Sequence, residues 1–73
     1  MNKDLEHIWE KARKIPDQDS NHYRVDDYGN IIKKESYGKQ LPMGWTVYEV
    51  QPVVMDVFDS IENYRPVHIS RLY

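Results

Sequence analysis

The sequence predicts an α+β domain in which an N-terminal helix packs on short antiparallel β-hairpins. Three observations predict it. The first is an apolar stripe at helical spacing near the start of the chain. The second is a glycine-containing turn between two short β-prone stretches. The third is the run Trp45-Thr46-Val47-Tyr48-Glu49-Val50, rich in β-branched and aromatic residues. With 73 residues and no internal repeat, one domain covering residues 1–73 is expected, close to the size at which a single core struggles to offset chain entropy.

The helix rests on Leu5, Ile8, Trp9 and Ala12, which fall at i, i+3, i+4 and i+7, with Ile15 extending the stripe. This spacing predicts a helix over about residues 4–14. Asn2 or Asp4 can cap it, Asp4 and Glu6 lie in the first turn, Lys11, Arg13 and Lys14 in the last, and Pro16 stops it. Residues 16–21 read as a loop. Residues 22–25 and 30–34 then form a hairpin around Asp26-Asp27-Tyr28-Gly29, where Gly29 can supply a positive φ. A second loop, residues 38–44, leads into the strand at residues 45–50. Beyond Pro52, which interrupts pairing, the turn Asp59-Ser60-Ile61-Glu62-Asn63 precedes a further short strand at residues 64–67.

Composition narrows the function classes. Cysteine is absent, so neither disulfides nor thiolate metal ligands are available. The net charge of −2 lacks the basic surplus of proteins that track phosphates. The longest apolar stretch is Val53-Val54-Met55, far too short to cross a bilayer, and the charged first ten residues do not read as a signal peptide. No membrane association and a cytoplasmic location are expected. Six tyrosines, two tryptophans and one phenylalanine serve either a thin core or an interface.

Trp9, Ala12 and Ile15, then Tyr23-Arg24, Asp27, Gly29 and Ile31, then Tyr37-Gly38 and Gly44-Trp45 together form an ordered pattern. It continues through Gln51-Pro52 and Ser60-Ile61-Glu62-Asn63-Tyr64-Arg65-Pro66-Val67-His68. This pattern resembles the small bacterial and phage HNH endonucleases, from about His7 to His68. The resemblance implies a ββα-metal fold, here with a truncated C-terminal helix. It also implies a divalent metal at the scissile phosphate and a histidine that activates water. In the family an aspartate and the closing histidine hold the metal, the histidine after the aspartate is the base, and an asparagine orients it. Carried over by position, Asn63 and His68 match, but Tyr48 stands at the metal aspartate and Glu49 at the base. A phenol that titrates near pH 10 is a poor ligand for hard cations, and a carboxylate of pKa about 4.3 is a feeble base at neutral pH. The catalytic positions are therefore vestigial, and neither metal nor cofactor is expected.

Where the family carries a polar loop with paired glycines, this chain has Val53, Val54, Met55, Val57 and Phe58. Such a segment is either an extra core strand or an apolar surface for a partner. The resulting expectation is a pseudo-nuclease that binds protein through Tyr48, Glu49, Val53, Val54, Met55, Val57 and Phe58. Its partner would be a host defence or nuclease complex, which makes the chain a phage or mobile-element inhibitor of the anti-CRISPR or anti-restriction type. A homodimer covering the apolar segment is a further option. Two alternatives stand beside this reading. One is a metal-dependent nuclease or nickase rearranged around Glu49, His68 and Asp56 or Asp59. The other is a non-cleaving nucleic-acid binder with Arg24, Arg65 and Arg71 on phosphates. The bland readings are a hydrogen-bonded structural His68, exposed His7 and His22, Asn63 closing a turn, and a solvated hairpin face at Lys33, Lys34 and Lys39.

Overall fold

The computed structural model of the protein describes residues 3–50 and 63–72. The order is helix α1 (Lys3–Trp9), strands β1 (Arg13–Lys14), β2 (Tyr23–Val25) and β3 (Ile31–Lys33), a 3-10 turn at Lys34–Ser36, strands β4 (Trp45–Glu49) and β5 (Tyr64–His68), and a 3-10 turn at Ile69–Leu72. Strands β1, β2 and β3 form one antiparallel sheet in chain order, and β4 and β5 form a second. The α+β class and the hairpin across Asp26–Gly29 follow the sequence reading, and Gly29 takes φ +86° as the turn requires. The apolar segment from Val53 to Phe58, with Pro52, Asp56 and Asp59, lies outside the described residues.

The helix ends at Trp9, five residues before the apolar stripe suggested. After the α-type bond from Glu10 N to Glu6 O, the chain tightens into i→i+3 bonds, from Lys11 N to Ile8 O and from Ala12 N to Trp9 O. The carbonyls of Glu10 and Ala12 are claimed instead by the Arg24 guanidinium, at 3.0 and 3.2 Å. That capture frees Arg13 and Lys14 to pair with Val25 and Arg24 as β1. The stripe still does its work, since Ile8, Trp9 and Ala12 are buried although Ala12 is no longer helical.

The core is a cluster of Trp9, Ala12, Ile32 and Trp45, with Val47 packed on it. The two indoles lie 5.2 Å apart and tilted, and Tyr37 meets Trp45 edge-on at 5.0 Å. Each indole N–H is satisfied by a carbonyl, that of Trp9 by Ser20 and that of Trp45 by Lys34. Burying two tryptophans this way compensates for the small size of the domain.

Helix α1 and strand β3 both lie against β5, and the buried carboxylate of Asp26 binds the two sheets together. Its Oδ1 accepts the N–H groups of Tyr28 and Asn30, closing the β2–β3 turn. Its Oδ2 accepts the N–H of His68 at 2.8 Å, at the end of β5. The loop before β4 is fixed by Gly44, where a Cβ would fall 1.8 Å from the Lys39 carbonyl oxygen. Only glycine fits that approach.

Candidate functional site

The β4–β5 hairpin carries the positions singled out in the sequence, and its register decides which of them can meet. Trp45 pairs with His68, Tyr48 with Arg65, and Glu49 with Tyr64. Side chains alternate along a strand and cross-strand pairs share a face. Tyr48 therefore lies on the face opposite to Glu49 and His68. Asn63 closes the hairpin through its backbone, its carbonyl accepting the Val50 N–H.

His68 is occupied at both ring nitrogens. Nε2 stands 2.6 Å from the Pro42 carbonyl oxygen, which only accepts, so Nε2 carries the proton and donates. Nδ1 then accepts from the Ser70 backbone N–H at 3.1 Å and lies 2.9 Å from the Ser70 hydroxyl. This ring bridges the loop before β4 to the 3-10 turn after β5. Among the described residues no three His, Asp or Glu side chains gather as a metal-binding group.

Tyr48 looks the other way, toward the β2–β3 turn. Its hydroxyl is 3.4 Å from Asp27 Oδ2, and Asp27 is gripped by Arg65 through two bonds, Nε to Oδ2 at 2.7 Å and Nη2 to Oδ1 at 2.8 Å. The Arg65 hydrogen bonds outweigh burial and hold the Asp27 carboxyl below its ordinary value. Burial, followed by the neighbouring Tyr28 hydroxyl and the charge of Asp27, pushes the Tyr48 phenol up. Tyr48 is thus a neutral hydrogen-bonding group at physiological pH.

Next to this cluster lies a notch of about 160 Å³ lined by Tyr28, Tyr48, Val67 and Arg71. The Arg71 guanidinium stacks 3.8 Å from the centroid of the Tyr28 ring. Tyr28 was not singled out in the sequence, although a large aromatic in a turn that needs only Asp and Gly was a signal. Arg71 was considered there only for phosphates.

The three arginines offered for phosphate contact have different fates. Arg24 is buried and spends its donors on the carbonyls of Ser20, Glu10 and Ala12. Arg65 is committed to Asp27. Arg71 alone is exposed, with its planar face on Tyr28. Of the lysines read as a basic face, Lys34 pairs with Glu6 at 2.7 Å, and Lys33 sits 5.9 Å from the Tyr23 ring centroid. A wider hollow of about 520 Å³ between α1 and the Lys34–Ser36 turn contains Lys34 paired with Glu6 and the His22 ring hydrogen-bonded to Glu35.

Among the described residues no helix is long and apolar enough to cross a membrane. Compared with family models, curated proteins and solved structures, the chain matches none.

Proposed function

We propose that this chain is a catalytically silent, HNH-like protein that works by binding a protein partner. The observation that carries this reading is the divergence of the two positions that the resemblance assigns to the metal. His68 is tied by one ring nitrogen to the Pro42 carbonyl and by the other to Ser70, while Tyr48 lies on the opposite face of the hairpin against Asp27. Metal-assisted hydrolysis needs ligands that converge on one ion with free lone pairs, and these two do neither. Arg24 and Arg65 are likewise spent inside the protein, which disfavours a phosphate track. Tyr48 and the apolar segment from Val53 to Phe58 are the contact residues of this reading, whereas Glu49, also expected among them, lies on the opposite face of the hairpin from Tyr48. A small cytoplasmic inhibitor of a host defence complex is the biological setting it implies.

The test is calorimetric titration with Mg²⁺, Mn²⁺, Ni²⁺ and Zn²⁺ beside a plasmid-cleavage assay. The expected result is no saturable heat and no nicking. Metal-dependent cutting that disappears in Glu49→Ala and His68→Ala would overturn the proposal and restore a nuclease.

A further inference from the structure

The notch on the Tyr48 face has the composition of a binding hot spot, because two tyrosines and an arginine surround a buried valine. Its charge is what selects an occupant. Asp27 is neutralised by two hydrogen bonds from Arg65, so the carboxylate nearest the notch is already spoken for. Among the described residues no carboxylate pairs with Arg71, whose guanidinium lies over the Tyr28 ring. Among the described residues the notch therefore presents one positive charge without an ion-pair partner. Arg71 and Tyr28 are both exposed, so the stacked pair is open to a partner.

We propose that the notch formed by Tyr28, Tyr48, Val67 and Arg71 takes a single carboxylate side chain from an acidic segment of a protein partner. This rests on the protein-binding reading above and deepens it by assigning the chemistry of the partner. A guanidinium stacked on a ring is held in plane with its fork outward, so little freedom is lost when a carboxylate docks bidentately. The Tyr28 and Tyr48 side chains line the notch beside the fork with further polar groups, and Val67 provides an apolar floor for the methylenes of the incoming side chain. The volume corresponds to about five waters of liquid, the bulk of one side chain. A nucleic acid would need several phosphate contacts in a row, whereas among the described residues the notch itself is lined by a single guanidinium, that of Arg71.

The whole chain, labelled with ¹⁵N, is titrated in two-dimensional NMR with a capped peptide bearing one glutamate between leucines. The same peptide with glutamine in place of glutamate and a short oligothymidylate serve as comparison probes. The glutamate peptide is expected to move the Arg71 side-chain Nε–H signal and the amides of Tyr28, Tyr48 and Val67. Arg71→Gln is expected to weaken that binding about tenfold, with Arg71→Lys intermediate because a point charge lacks the fork. Equal response to the glutamine peptide, or an unaltered affinity in Arg71→Gln, overturns the proposal. So does an oligothymidylate response that exceeds the peptide's and falls steeply with salt. Plasmid cleavage run on the same samples separates the two readings. Cutting overturns the non-enzymatic function whatever the peptide does, whereas an intact plasmid with no peptide response overturns only the notch.

Discussion

Asp26 and Asp27 adjoin in the β2–β3 turn with the same side chain, yet the fold uses them in opposite ways. Asp26 is buried and accepts three backbone N–H groups, from Tyr28, Asn30 and His68. Asp27, one residue on, is about a third exposed, and it answers to side chains: the Arg65 fork and the Tyr48 hydroxyl. The first builds the fold and the second builds a face. The difference teaches where substitution is tolerated. A buried acceptor cannot be removed without stranding its donors, whereas an exposed ion pair exchanges one set of solvated contacts for another.

The largest effect is expected at Asp26. Asp26→Ala leaves three N–H groups unpaired, and a loss of about 3 kcal/mol or more is expected in urea unfolding. A loss comparable to that of an exposed residue would dissolve the distinction. Gly44→Ala comes next, at about 1–3 kcal/mol, because its methyl group overlaps the Lys39 carbonyl and the loop must move. Arg65→Met, on the Asp27 side, is expected to cost only about 0–1 kcal/mol in the same assay, since the pair is partly exposed. A larger cost would make the Asp27 cluster part of the fold after all.

The smallest effect is a change in pH dependence. The Asp27 carboxyl is held below its ordinary value of 3.8, so in the folded state it binds its proton less readily than in the unfolded chain. The stability it contributes is fully present above that ordinary value and is lost as the pH falls through the lower folded value. Asp27→Asn should therefore lower the neutral plateau by that small contribution and flatten the same part of the acid limb of a stability-versus-pH curve, leaving the stability at the acid end little changed. An unaltered acid limb would assign the acid sensitivity elsewhere.

Local signals in the sequence were legible where the structure obeys local rules. The stripe of Ile8, Trp9 and Ala12 identified the buried face of the first segment, the Asp-Asp-Tyr-Gly turn placed the first hairpin, and the β-branched run at Trp45 placed β4. What escaped depends on contacts distant in sequence. The helix end was misplaced because Arg24, itself read as a surface cation, reaches back to the carbonyls of Glu10 and Ala12. Arg65 likewise carries no sign in its neighbours that Asp27 awaits it 38 residues earlier. The separation of Tyr48 from Glu49, by contrast, was legible, because adjacent residues of the strand at 45–50 alternate between its two faces.

The bond from His68 N to Asp26 Oδ2 spans 42 residues of sequence. Either sheet can assemble its own ladder from nearer pairings, but this bond requires that both be formed and facing, after the larger loop has closed. It is therefore a late event in folding and an early casualty of any partial opening that separates the sheets. The exchange of the His68 amide with deuterium counts how often they part, and if the two sheets open only together, that amide is released at the rate of the slowest-exchanging amides of the core strands.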